Sequence, residues 1–173
     1  MVSSILVIGS YVQDLTFNLP EFPKPGQTLI GKFQTGPGGK GSNQAVAAAR
    51  TGVQTAFIGA TGNDAFAQVA QEFHAQEGIK SQLASKAEHT TGTAGILVNE
   101  KGENEIVVAL GANNELAVED ISEELILEAE IVVSQLESNL QATSHALQFA
   151  KSNHITTLLN PAPMRHDFPM EML

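Results

Sequence analysis

The segment Gly36-Pro37-Gly38-Gly39-Lys40-Gly41-Ser42-Asn43-Gln44 runs directly into an alanine-rich stretch, residues 45–50, with the composition of a helix. Glycines let backbone N–H groups approach a ligand closely, and a helix N-terminus adds free donors and partial positive charge. Lys40 supplies a mobile cation at the same place. Such a segment suits a phosphate or the hydroxyls of a sugar, and its spelling alone does not choose between them. A Walker A loop is excluded, because the positions that would have to be Gly and Ser or Thr are Gln34 and Gly41. Gly36, Gly38 and Gly41, with Asp64 further on, spell a dinucleotide fingerprint, but that fingerprint belongs directly after the first strand of its unit. The first apolar run here ends instead in Gly9-Ser10-Tyr11. Without a ligand, the segment reads as a tight turn ahead of a closely packed helix.

The elements that must position this segment follow from periodicity. Residues 5–8 form a continuous β-branched and leucine run closed by Gly9, the pattern of a strand buried on both faces of a parallel sheet. Similar runs at 56–58, 131–133 and 155–159 alternate with helical spacing at 42–50, 64–76, 121–129 and 138–151. The alternation predicts a doubly wound α/β sheet. Two regions break it. Residues 15–33 are rich in proline and β-formers, and 93–110 read as two strands joined by Asn99-Glu100-Lys101-Gly102, a hairpin signal. Together they predict a small separate β-sheet beside the main layer. After the strand at 155–159 and the loop Asn160-Pro161-Ala162-Pro163, residues 167–173 read as the first turns of a helix, with Asp167 as cap and Pro169 in its first turn. The chain is therefore expected to stop inside an element, as a truncated chain does.

Bulk properties narrow the function classes. The 173 residues are enough to bury a sizeable core, and 42% apolar with 16% charged residues describes a globular chain. A net charge of −10 sets the chain against nucleic acid. With no cysteine there is no disulfide framework, thiolate zinc site or cysteine nucleophile, and the five histidines lack metal-ligand spacing, so no metal site is expected. The apolar run near the N-terminus is too short to span a bilayer and has no basic region before it, which predicts a cytoplasmic protein without a membrane partner.

Gly38-Gly39-Lys40-Gly41-Ser42-Asn43-Gln44-Ala45, with Gly52 and Gly62 at the following spacings, resembles the N-terminal signature of the ribokinase family of carbohydrate kinases. The similarity extends through Gly9-Ser10 with Asp14, Phe22-Pro23, Pro25-Gly26, Thr61-Gly62-Asn63-Asp64, Thr91-Gly92, Gly111-Ala112-Asn113, Gln135-Leu136-Glu137-Ser138 and Leu159-Asn160-Pro161-Ala162-Pro163. The resemblance implies a ribokinase-type α/β sheet with a β-sheet lid, drawn from about residues 11–35 and 93–110 of a 1–173 N-terminal part. Two such lids clasp in a homodimer. It further implies that Asp14 and Lys40 hold sugar hydroxyls from opposite sides, that the Gly39 backbone lies against the sugar, and that Asn43 and Glu137 complete the hydrogen bonds. Ala94 and Ile96 are placed over the sugar by the lid, and Gly95 between them is smaller than the family pattern.

Ribokinases usually carry Asn two residues before the sugar-binding Asp, where this chain has Val12, so the sugar need not be ribose. The family's catalytic base, ATP pocket, Mg²⁺-linked motif and monovalent-cation loop, the last serving an ion such as K⁺, belong to a C-terminal half outside these residues. No catalytic residue is therefore assigned in this chain. Taken singly, Asp14 reads equally as a turn acid, Glu137 as a helix N-terminal acid and Asn43 as a helix-start residue. Two functions follow: the sugar-binding part of an ATP-dependent sugar kinase, or a catalytically inactive, truncated sugar-binding remnant.

Overall fold

The computed structural model describes residues 4–164, and the helix predicted over 167–173 lies outside them. Strand β1 (Ser4–Ile8) is central, because Leu6, Val7 and Ile8 are apolar in succession and must be covered on both faces. It pairs in parallel with β4 (Gln54–Thr61) on one side and β8 (Ile131–Ser134) on the other. Adding β5 (Lys80–Ser85) and β9 (Thr156–Leu159) gives the all-parallel order β5-β4-β1-β8-β9.

Helices cover both faces. From α1 (Lys40–Arg50), Ala45 and Val46 pack with Val7, Phe57 and Val133, joined by Phe73 of α2 (Ala65–Gln76). On the opposite face Leu6, Ile8, Ile58 and Val132 meet Leu125 and Ile126 of α3 (Glu123–Leu127), with Ala142, Ala146 and Leu147 of α4 (Leu140–Ser152). This is the predicted doubly wound sheet. Its strand order reverses between β1 and β8, which opens a crevice at their carboxyl ends. Among the described residues no helix is long and apolar enough to cross a membrane.

The two irregular regions form the predicted second sheet, from β2 (Val12–Asn18), β3 (Lys32–Gly38), β6 (Gly92–Val98) and β7 (Asn104–Ala109) in the order β3-β2-β6-β7. β2 and β6 run parallel, while β3 and the β6-β7 hairpin pair antiparallel. Asn113, fully buried, fixes the hinge. Its amide donates to the carbonyls of Tyr11 and Leu110, at 2.8 Å each, and its Oδ1 accepts from the Tyr11 N–H at 3.1 Å.

Three expectations are corrected. β5 is absent from the sequence-based expectation: as an edge strand with Lys80, Ser81 and Gln82 it lacks the continuous apolar run of its neighbours. The helix expected over 121–129 spans only Glu123–Leu127, since Ser122 caps it by accepting from the Leu125 N–H. The apolar spacing that suggested more, Ile121, Leu125, Ile126 and Ala129, reflects burial in the core rather than helix length. The first lid segment continues past residue 35, because β3 keeps pairing with β2 as far as Val12↔Gly38. The glycine-rich segment thus starts as a lid strand, and α1 follows the lid rather than a strand of the parallel sheet, which removes the topology a dinucleotide fingerprint needs. Finally, Asp64 supports the fold. It caps α2 through the Ala67 N–H and accepts from the N–H and hydroxyl of Thr91. Burial works to raise its pKa, but these hydrogen bonds outweigh it and hold the carboxyl below its ordinary value.

His74 locks α1 against α2. Fully buried among Tyr11, Phe57 and Phe73, its Nε2 lies 2.9 Å from Ser42 Oγ in the first turn of α1, and its Nδ1 has no partner among the described residues. Burial pushes the imidazole pKa down to about 4. The folded chain keeps the ring neutral while the unfolded chain protonates it below about pH 6.5, so the stability at stake is lost as pH falls from there to about 4. Urea titrations should show His74→Leu gaining on the wild type by on the order of 3 kcal/mol between pH 7 and pH 4. A pH-independent difference would contradict this reading of His74.

Candidate functional site

Three backbone segments meet at the crevice: Gly9-Ser10 leaving β1, Gln135-Leu136-Glu137 leaving β8, and the start of α1. Helix α1 begins after Gly39, which has no side chain to cap it, and its first turn contains no acid. Its free N–H groups therefore need acceptors from elsewhere. The Ser10 carbonyl accepts from the Ser42 N–H at 2.9 Å. Glu137 Oε2 accepts from the Lys40 N–H at 3.0 Å and from the Ser10 hydroxyl at 2.7 Å. The other oxygen, Oε1, lies 3.4 Å from Lys40 Nζ, whose side chain is 39% exposed. That ion pair is worth little by itself and serves to position the ammonium. Glu137 is therefore not the first-turn acid of its own helix, because α4 starts at Leu140 with Asn139 as its cap.

Gly39 has φ 91°, and a Cβ there would come within 2.8 Å of the Ser10 carbonyl oxygen and the Val12 nitrogen. A side chain is excluded by both conformation and space. Gly38 leaves room of a different kind, since a Cβ on it would collide with the Asp14 carboxylate. Asp14 is a half-buried residue of β2, not a turn acid. Among the described residues its side-chain oxygens accept no hydrogen bond. Burial first, and the neighbouring charge of Glu137 second, raise its pKa above the ordinary carboxylate value. Tyr11 is likewise raised, by burial and then by the Asp14 charge, and its hydroxyl donates to Gln13 Oε1 at 2.8 Å.

Asp14, Gly39, Lys40, Asn43 and Glu137 line one cavity of about 230 Å³ between the parallel sheet and the lid. Ala94 and Ile96 roof it with Ile106 and Val108, and Val12 completes the lining. All seven residues singled out from the sequence are thus brought together. Asp14, Ala94 and Val108 sit in register, as do Thr16, Ile96 and Ile106, so one face of the lid looks into the cavity. Gly95 alternates to the outer face, where a Cβ would meet open space, so its small size does not shape the cavity. The sequence reading missed Ile106, Val108 and the Ser10 support of Glu137. The hairpin register would have found the first two. A larger hollow of about 520 Å³ at the amino-terminal ends of β1 and β4 has its Lys80 and Glu128 paired with each other at 3.2 Å. Asp14, whose side-chain oxygens accept no hydrogen bond among the described residues, lies in the smaller cavity.

A doubly wound parallel sheet, roofed at its switch point by a β lid over a small cavity of acids, amide and ammonium, defines an α/β protein with a lidded polar cavity. Residues 2–171 match the family described as pfkB family carbohydrate kinase, and the chain belongs to that family. It is 41% identical over 167 residues to the ribokinase of Haemophilus influenzae, covering 94% of this chain and 55% of that one. It is 38% identical over 170 residues to the deoxyribokinase of Salmonella typhi, covering 96% of this chain and 56% of that one. Among solved structures, the Arabidopsis thaliana ribokinase complexed with ribose and ATP superposes with a TM-score of 0.83 at 27% identity, over 95% of this chain and 55% of that one. The chain spans about half the length of the relatives it matches.

The described residues contain no group of three or more His, Cys, Asp or Glu that could hold a metal ion, and Lys40 is the one cation among the residues lining the cavity.

The hydrogen bonds and charges of the site set its effect on stability. Glu137→Ala leaves the buried Ser10 hydroxyl and the Lys40 N–H without their acceptor and should cost about 1–3 kcal/mol in chemical denaturation. Asp14 has a raised folded-state pKa, so its ionisation lowers stability as pH rises through that value and leaves it unaffected below the unfolded value. Asp14→Asn should therefore melt higher than the wild type at pH 7, with the gain vanishing toward about pH 3. A lower melting temperature for the variant at pH 7 would contradict the assignment.

Proposed function

We propose that this chain is the sugar-binding part of an ATP-dependent carbohydrate kinase, in which a sugar held under the lid presents one hydroxyl to the γ-phosphoryl group of ATP. The observation that carries the reading is the convergence of Asp14, Lys40, Asn43 and Glu137 on one roofed cavity at the switch point of a family member's sheet. A sugar offers donors and acceptors together, and these side chains answer both. The Asp14 carboxylate, without a hydrogen-bond donor among the described residues, accepts from sugar hydroxyls, and Lys40 Nζ donates from the opposite side. Asn43 offers a carbonyl and an amide, Glu137 accepts through Oε1, and the Gly39 backbone lies against the ring. Ala94 and Ile96 cover its C–H face. The cavity volume is below the roughly 300–1,000 Å³ of drug-sized pockets, which suits a monosaccharide.

ATP as donor and the Arabidopsis complex with ribose and ATP agree with this reading. Mg²⁺ and a monovalent cation such as K⁺ belong to the proposed reaction, and their sites are proposed to lie in the part of the kinase that this chain does not span. The base that takes the proton from the attacking hydroxyl, and the nucleotide pocket, are proposed to lie in the part of the kinase that this chain does not span. The outer face of the lid exposes Phe17, Phe33 and Val107, the last 77% exposed, and a small sheet with such a face gains from a partner. A homodimer through the lids, working in the cytoplasm where ATP is available, completes the proposal. Sedimentation should give a dimer, and a monomer would remove that element of it.

For the site itself, calorimetric titration of monosaccharides should show binding that Asp14→Ala weakens by about tenfold to a hundredfold, the loss of a charge-assisted hydrogen bond of about 1.5–3 kcal/mol. The chain alone should leave ATP turnover at background with sugar, Mg²⁺ and K⁺ present. Unchanged affinity in the variant would reject the site, and robust phosphorylation by the chain alone would reject the division of labour.

A further inference from the structure

Gly39, Lys40 and Asn43 reach the cavity from a segment that apolar packing hardly holds. Four of the eight residues from Gly36 to Asn43 are glycine, which brings no side chain to a core and leaves the backbone its widest freedom. Apolar packing of α1 starts only at Ala45 and Val46. On the crevice side the start of the helix is tied by Ser10 and Glu137 through backbone N–H groups, and by Gln135 through Gln44. On its other side, among the described residues, the tie is the fully buried Ser42 side chain, with Oγ 2.9 Å from His74 Nε2.

At 3.6 residues per turn, Lys40 and Asn43 lie about 60° apart around α1, and Ser42 points about 160° away from Lys40. The Ser42 hydroxyl therefore grips the back of the turn whose front faces the cavity. Neither Ser42 nor His74 lines that cavity. The imidazole is itself firmly seated. Tyr11 and Phe57 meet its ring edge-on, with centroids 5.9 and 4.7 Å away, and Phe73 lies beside it at 6.0 Å. Phe57 belongs to β4, so the ring rests on the parallel sheet. Packing alone does not call for an imidazole here. Its Nδ1 has no partner among the described residues, and an unpaired polar atom in a core costs stability. A leucine would fill a similar space without that cost.

Building on the sugar-binding reading, we infer that His74 is a positioning residue of the sugar site: through the Ser42 hydroxyl it fixes the rotation of the first turn of α1, and with it the directions in which Lys40 and Asn43 meet the sugar. The hydrogen bond carries the rigidity of the sheet to a glycine-rich turn that has little of its own. The unpaired Nδ1 is the stability given up for that link.

The test separates affinity from stability. Ser42→Ala combined with His74→Leu removes the hydrogen bond and leaves neither side with an unpaired polar atom. Thermal melts at pH 7 should place this double variant at or above the wild type. Calorimetric titration of the 173-residue chain with D-ribose and 2-deoxy-D-ribose should nevertheless show the double variant binding about threefold to tenfold more weakly, the scale of one hydrogen bond made out of line. His74→Gln, which keeps a polar atom near the place of Nε2, should recover most of that loss. Should the double variant fail to fold, the wild type still decides: saturating sugar should shift the His74 ring nitrogens in long-range ¹H–¹⁵N spectra, Nε2 more than Nδ1. Wild-type affinity in the folded double variant, affinity losses that only track melting temperature, or ring nitrogens unmoved by sugar would overturn the role of His74 and leave the sugar site standing. Absence of binding of both sugars by the wild type would overturn the inference and the sugar-binding reading together.

Discussion

The carboxylate of Glu137 ties together three parts of the chain that are far apart in sequence. It leaves β8, reaches across the crevice where the strand order reverses, and accepts from the Ser10 hydroxyl after β1 and from the first N–H of α1. The need for it comes from the glycines. Gly39 must have no Cβ, because its φ is positive and Ser10 and Val12 are packed against it, and a glycine cannot cap the helix it begins. An unscreened helix N-terminus with free N–H groups calls for negative charge. Glu137 supplies it from another segment, and the same geometry leaves its second oxygen beside Lys40 at the cavity. Support of the fold and shape of the site are one arrangement.

Asp14 is the counterweight. It projects from the lid over Gly38, partly buried, near the charge of Glu137 and without a protein donor among the described residues. Burial first, and the second carboxylate of the small cavity after it, shift Asp14 toward its neutral form. The proposed sugar, rich in hydroxyl donors, would supply the partners that Asp14 lacks. The hydrogen bonds of Asn113 and the Ser42–His74 contact tie down the backbone on either side of the cavity.

Much of the scaffold is legible in the sequence, for identifiable reasons. Strands buried on both faces write uninterrupted apolar runs, so β1, β4 and β8 could be read directly, while β9 was found from its β-branched and leucine run although it lies at the sheet edge with Leu158 57% exposed, and the hairpin turn announced β6 and β7. An edge strand such as β5 is buried too little to leave that signature. Ile121 and Ala129 misled because core burial and helical spacing look alike over so short a stretch. In the site, the glycines and Lys40 carry a chemical signal of their own, whereas Asp14, Asn43 and Glu137 are ordinary residues whose meaning came from their order along a family pattern. Ile106 and Val108 were hidden because facing the cavity depends on strand register, and Ser10 and Asn113 because their hydrogen bonds cross more than 100 residues.

The acids of β2 and of the β8 exit, with the start of α1, are proposed to close around one sugar. Backbone amide NMR during titration with a pentose tests this most directly. The expected result is saturable shifts concentrated at Asp14, Gly39, Lys40, Asn43, Ala94 and Glu137, with the amino-terminal ends of the strands around Gln54 and Lys80 unchanged. Shifts centred on that opposite end of the sheet, or none at saturating sugar, would contradict it.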